Sequence, residues 1–150
     1  MTVKEYLSQI RRYDRLISNL VSERDNLRLN ALVSKSPRLV ADKVQSSCPG
    51  DDMADCVDKY VDIELELTRM LTKYRKMRWK IVKEINSLPD PRHVELLYKK
   101  YVEGRCLEDI ACIMRKPNGE MYNYEYIKRL HGWALESFLK KYPNVTQMSP

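Results

Sequence analysis

The chain has 150 residues, 43% of them hydrophobic and 32% charged, with a formal net charge of +6. Four glycines and seven prolines favour helices over a turn-rich β fold, and no stretch approaches the ~20 consecutive apolar residues of a membrane span. A basic balance suits nucleic acid, an acidic protein or an anionic membrane, and selects none of them.

Residues 1 to about 32 repeat apolar positions in heptads. One row is Val3, Ile10, Ile17, Arg24 and Ala31. The row three residues later is Tyr6, Tyr13, Leu20 and Leu27, widened by Leu7 and Leu16. Steps of three and four place these on one helical face. Thr2 with Glu5 makes a capping box at its start. Arg24 is the flaw in the row: its stem can be buried while its head stays wet, and it can set the register of pairing. The N-terminal segment has no apolar core and no small-residue cleavage site, so no signal peptide is expected.

Residues 33–51 lose the period. Ser, Pro and Gly cluster there, with Pro37 and Pro49-Gly50 as breaks, so a linker is expected. From Asp52 to about Ser87 the heptads return. One row is Met53, Tyr60, Leu67, Tyr74 and Ile81; the other is Cys56, Ile63, Met70, Met77 and Glu84. Acidic residues load the first half of this helix and basic residues the second. That polarity suits the helix dipole in the terminal turns. Beyond them it marks either a solvated face or a basic half that extends a nucleic-acid surface. The expected architecture for residues 1–87 is an antiparallel coiled-coil helical hairpin, paired between copies as a homo-oligomer, with a dimer favoured.

Leu88-Pro89-Asp90-Pro91 ends the long helix and begins another. Asp90 is an N-cap and Pro91 fits the first helical position. Val94, Leu97, Tyr98 and Tyr101 are expected inward, and Gly104 as a left-handed cap. A short helix follows from Leu107 to Met114, with Cys106 at its cap and Leu107, Ile110, Ala111 and Met114 on one face. The last helix runs from Tyr124 to Lys140, capped by Asn123. Ile127, Leu130, Ala134, Phe138 and Leu139 are spaced to face a core. The fold class expected is all-α, with a three-helix helix-turn-helix domain over 88–142 and a tail over 143–150.

In a helix-turn-helix the N-terminal part of the second helix enters the major groove. Lys128 and Arg129 then reach phosphates or guanine edges. Tyr124 and Tyr126 contact a phosphate or a thymine methyl, and Glu125 accepts from cytosine. His131 is expected to be packed or phosphate-bound rather than catalytic.

The chemistry of enzymes is missing from the sequence. There is no Gly-rich phosphate loop, no nucleophile with a readable base and no carboxylate cluster at metal spacing. Cys48, Cys56, Cys106 and Cys112 form no CxxC pair, and His93 and His131 are not at ligand spacing with them. Buried free thiols in a reducing cytosol are expected, with no cofactor.

Leu88-Pro89, Leu96-Leu97, Tyr101, Gly104, the run Leu107-Glu108-Asp109-Ile110-Ala111 and Lys128-Arg129-Leu130-His131 resemble region four of bacterial sigma factors. That region reads promoter DNA and touches the RNA polymerase β flap. Nearly the full length, from the opening MTVKEYLSQ through Met53-Ala54-Asp55 to the C-terminal pattern, resembles small RinA-type phage transcriptional regulators. The resemblance implies a non-enzymatic phage or prophage late-gene activator in the bacterial cytoplasm, associated with the nucleoid. Its partners would be double-stranded promoter DNA and host RNA polymerase. Two other readings stay open: an RNA polymerase-binding adaptor with little DNA affinity, and a small terminase-like DNA-recognition subunit. One departure stands out. The family joins the two helices by a short turn, whereas here Arg115 to Tyr122 intervene. Asn118-Gly119 is a hairpin signal. The insert either forms a wing whose Arg115 and Lys116 add phosphate contacts, or displaces the recognition helix.

Overall fold

The computed structural model describes residues 1–33 and 51–147. The expected linker lies almost wholly outside them. The described chain is helical: α1 (Val3–Val33), α2 (Asp51–Asn86), α3 (Pro91–Leu97), α4 (Leu107–Ile113) and α5 (Tyr124–Lys141). A π-helical turn, Tyr98–Val102, extends α3, and a 3-10 turn, Pro143–Gln147, follows α5. There is no strand among the described residues, only an isolated antiparallel bridge between Arg115 and Met121.

Local chemistry sets the helix ends. At the start of α1 the Thr2 amide donates to Glu5 Oε2 at 2.6 Å and the Glu5 amide to Thr2 Oγ1 at 3.2 Å. This is the reciprocal capping box, and its hydrogen bonds hold the Glu5 carboxyl below its ordinary range. Asp90 caps α3 by accepting from the Arg92 amide at 2.9 Å, with Pro91 in the first position. Arg92 also folds back on Asp90, which lowers that carboxyl further. The π turn ends in bonds from Glu103 N to Tyr98 O and from Arg105 N to Lys99 O. Gly104 then takes φ +78°, a conformation that a side chain would strain. Cys106 does cap α4, through a long 3.4 Å bond from the Asp109 amide to its sulfur.

The chain packs as two compact units, Met1–Tyr13 with the residues from Tyr74 onward, and Asp14–Lys73. The first has a continuous core. Leu7, Ile10, Ile81, Ile85, Leu96, Leu97, Ile110, Ile127, Ala134 and Phe138 are fully buried within it. Each large apolar side chain so buried stabilises the fold by roughly 1.5–3 kcal/mol. The core reaches back before residue 88: the first turns of α1 and the last turns of α2 belong to it. Tyr6 donates to Glu84 Oε2 at 2.8 Å, lies 6.3 Å from the Phe138 ring, and has Lys80 above its own ring. The end of α2 is tied to the end of α5. Lys141 donates to the Ser87 carbonyl, and the Ser87 and Tyr142 hydroxyls bond at 2.6 Å.

Two expectations about this core are corrected. Leu139 is exposed rather than inward, because Ala134 and Phe138 already fill the inward row of α5. The segment after Tyr142 is not a plain tail: its 3-10 turn brings Val145 into the core.

The second unit is thinner. Ile17, Leu20, Val21, Leu27, Tyr60, Ile63, Met70 and Leu71 are half-buried, and Leu67 is buried. All but Val21 and Leu71 belong to the expected heptad rows, whereas Leu16, expected to widen them, is exposed. Arg24 keeps its place in them with its head paired to Asp25 at 2.8 Å and to Glu64 of α2 at 3.5 Å. The side chains of Ala31, Met53 and Cys56 lie outside the described residues.

Candidate nucleic-acid interface

The second half of the chain presents α5 on a platform of α3 and α4. Ile127, Leu130, Ala134 and Phe138 hold its inner face in the core. Asn123 fixes its start, accepting from the Glu125 amide at 3.1 Å. The outer face then follows from helical spacing. Tyr124, Glu125, Lys128, Arg129, Gly132 and Trp133 are all exposed. Four of the residues singled out from the sequence, Tyr124, Glu125, Lys128 and Arg129, therefore share one open surface.

Between Met114 and Asn123 the chain forms a tight hairpin. Gly119 N donates to Lys116 O at 2.8 Å, and Lys116 N to Glu120 O at 2.8 Å. Pro117 and Asn118 occupy the turn, and Gly119 has φ +85°. A type I turn closed by a left-handed glycine gives a three-residue hairpin loop, for which Pro-Asn-Gly is well suited. Arg115 is exposed on this hairpin, as expected. Lys116 is not free for a phosphate: its ammonium pairs with Glu120 across the turn at 3.0 Å.

Tyr126 and His131 also sit differently from the open face. Tyr126 is half-buried; its ring stacks on Tyr122 at 5.0 Å and 7°. Its hydroxyl accepts from Arg92 Nη1 at 3.2 Å. His131 lies against Tyr101, with rings 5.9 Å apart and Nε2 3.1 Å from the tyrosine hydroxyl. Burial, together with the nearby charges of Lys4 and Lys100, lowers His131 to about 4. It is a neutral, packed imidazole at physiological pH, of the two roles expected the packed one. Burial likewise pushes Tyr101 up to about 12.

The electrostatics of the α5 start are mixed. The Glu108 carboxylate on α4 sits beside Tyr124 and pushes its hydroxyl up, while Asp109 and Glu125 lie in the first turns of α4 and α5. Lys128 and Arg129 follow one turn later. An anion approaching α5 therefore meets acid at the helix start and base beyond it.

Three residues outside the expected set join this region. Arg92 reaches it from α3 through Tyr126. Tyr122 supplies the stacked ring, and Trp133 packs edge-on to Tyr126 at 6.4 Å while staying half exposed. A groove of about 520 Å³ opens between hairpin and helix, lined by Lys116, Pro117, Asn118, Tyr122, Asn123 and Tyr126. The spacings Tyr122–Tyr126 and Tyr126–Trp133, four and seven residues, were the available sequence signal. Nothing local announces Arg92. The thiols depart from expectation as well: Cys106 and Cys112 are exposed rather than buried, since Ile110, Ala111 and Met114 fill the inner face of α4. No group of His, Cys, Asp or Glu among the described residues is arranged to hold a metal ion.

The chain matches no protein-family model, no curated protein and no solved structure.

Proposed function

We propose that α4, the hairpin and α5 form a helix-turn-helix that binds double-stranded DNA, and that the protein is a transcriptional regulator of a phage or prophage. The observation that carries this reading is the split of α5. Its inner row is fully buried, while Lys128 and Arg129 stand exposed one turn from its capped N-terminus. A helix so placed can enter a major groove by its N-terminal half. Arg129 then offers a bidentate donor to guanine and Lys128 a phosphate contact. Arg115 adds a phosphate contact from the hairpin, which acts as a short wing. Tyr124 and Glu125 contribute contacts to the bases or backbone, and Trp133 extends the same face.

In this reading α1 and α2 form an antiparallel coiled hairpin. Within each compact unit α1 meets α2: Arg24 reaches Glu64 in one and Tyr6 reaches Glu84 in the other. A homo-oligomer would present two recognition helices to paired half-sites, with a gain in effective concentration. Late-gene activation in a bacterial cytoplasm, with host RNA polymerase as a further partner, belongs to the same proposal.

One observation favours a second reading, an adaptor that binds RNA polymerase with little DNA affinity. Glu108 and Glu125 flank the start of α5, where they repel phosphate, and Trp133 is a large exposed anchor suited to a protein surface.

A salt series separates the two. DNA binding by the parent is expected to fall steeply with salt. The Lys128→Ala/Arg129→Ala variant should lose preference for cognate upstream DNA and show a salt slope lower by roughly 1 for each phosphate contact removed. A parent chain that binds no duplex at low salt, yet retains RNA polymerase in a pull-down, establishes the adaptor instead.

A further inference from the structure

Cations gather beside the first half of α5 from three separate elements. At their centre is His131, whose Nε2 lies 3.1 Å from the Tyr101 hydroxyl. Lys100 precedes Tyr101 on the π-helical turn. Lys128 lies one turn before His131 on α5, at a spacing that makes neighbours on a helix surface. The start of α1 completes the group. Val3, Tyr6 and Leu7 are buried in the same core. Lys4 and Arg11, two turns apart on α1, share the side next to that inner row, and Arg11 Nε would lie 3.4 Å from a Cβ at Gly104. This side of α1 therefore faces the end of the π-helical turn. The charges of Lys4 and Lys100 both reach the imidazole and oppose its protonation.

The three lysines lack the partners that their neighbours have. Lys99 pairs with Glu95 at 3.7 Å and Arg105 with Glu103 at 2.7 Å. Lys4, Lys100 and Lys128 form no ion pair among the described residues. Glu108 is near enough for Lys100 to lower its carboxyl, yet the two do not pair. Lys4 and Lys128 are exposed and Lys100 is half-buried. Like charges held around a neutral imidazole repel one another, the more so where burial lowers the local dielectric. An anion placed among them removes that repulsion. The cations lie at the surface on separate elements, which suits successive phosphates of a polymer rather than one enclosed anion.

We propose that Lys4 and Lys100, together with Lys128, clamp the phosphate backbone of double-stranded DNA on the side of α5 next to α1. The clamp rests on the reading of α5 as the helix that enters the major groove, and it adds two contacts from outside the helix-turn-helix. Such contacts fix the register of a protein on the duplex and carry no base preference. The first turn of α1, a packing element in the free chain, becomes part of the DNA surface. The phosphate-binding role that the sequence leaves open for His131 falls to the lysines around it.

A salt series with the full chain tests it, on random duplex and on cognate upstream DNA. Lys4→Gln/Lys100→Gln should lower the slope of log affinity against log salt by roughly 2, one for each phosphate contact. The ratio of cognate to random binding should stay that of the parent. Lys4→Arg/Lys100→Arg should keep the parent slope. Lys76→Gln/Lys83→Gln removes the same charge from exposed positions on α2 and should also keep it. In the free chain, nuclear magnetic resonance should find that His131 takes its proton at higher pH once Lys4 and Lys100 are neutral. A Lys4→Gln/Lys100→Gln slope equal to the parent's, while Lys128→Ala/Arg129→Ala still loses cognate preference, overturns the clamp and leaves the α5 reading standing. An equal loss of slope in the α2 variant, or an unmoved His131, also overturns the clamp. A parent that binds no duplex at low salt overturns the α5 reading and the clamp with it.

Discussion

The two compact units are built from the same two long helices yet hold together differently. In the first, α1 and α2 end against α3, α4 and α5, and side chains such as Phe138, Ile81, Leu96 and Ile127 lose all contact with water. In the second, the rows of α1 and α2 leave most apolar residues half-buried, and Arg24 occupies a core-type position. Two helices cannot enclose a side chain on every side; five can. The heptad pattern is equally regular in both, so regularity of pattern does not measure stability. What differs is the number of elements that close over the stripe.

The sharpest way to break this comparison is a cavity in the first unit. Phe138→Ala should cost about 3–5 kcal/mol, since Phe138 packs against Tyr6 and Tyr142 as well as the inner row. Chemical denaturation should show the whole first unit lost together. Leu67→Ala in the second unit should cost less, near the ~2 kcal/mol low end for a buried leucine. Its neighbours are half-exposed and water can enter the gap. Hydrogen exchange should confine the change to Asp14–Lys73, whose amides should already exchange faster than those of α5 in the parent.

A pH effect comes next. His131 keeps its proton off until about pH 4 in the folded chain, against an ordinary value of 6.5. Below 6.5 the unfolded chain binds a proton that the folded one refuses. Stability is therefore full above pH 6.5 and falls as pH drops from 6.5 towards 4. His131→Gln should flatten that part of the profile, leaving the lower fall that comes from Glu5, Asp90 and Glu103, whose carboxyls are held low. An unchanged slope in thermal melts between those limits would remove His131 from the account. The smallest effect is expected at Arg24. Arg24→Leu exchanges a partly exposed ion pair for an apolar contact and should stabilise the second unit slightly, read as slower exchange at Leu20 and Leu67.

Much of this was legible in the sequence, for a physical reason. Caps and turns are local: Thr2 with Glu5, Asp90-Pro91, Gly104, Asn123 and Asn118-Gly119 act on backbone groups a few residues away. Heptads are nearly as local, because helical spacing alone sets them. The π turn at Tyr98 carries no such mark. Whether Leu139 faces in or out depends on how fully Ala134 and Phe138 occupy the inner row. Lys116 was read as free because its partner Glu120 is near only once the hairpin closes. For His131 the sequence leaves packed and phosphate-bound roles open, because Tyr101, which covers it, lies thirty residues earlier in the chain. The candidate surface was thus readable where helix phase decides it, at Lys128 and Arg129. It stays open in the sequence where another element covers a side chain.

The first unit joins segments far apart in the sequence, Met1–Tyr13 and the residues from Tyr74 onward. Tyr6 meets Glu84 across a separation of 78 residues, and Ser87 meets Tyr142 across 55. During synthesis, therefore, α1 emerges without its partners, and the start of α1 must wait while α2 to α5 are made. Val145 is the last core residue of this unit in chain order. Closing so large a loop is slow relative to local helix formation. Until those later helices are made, α1 carries an amphipathic face that is unfilled, and the unit completes only when the turn bearing Val145 has been added.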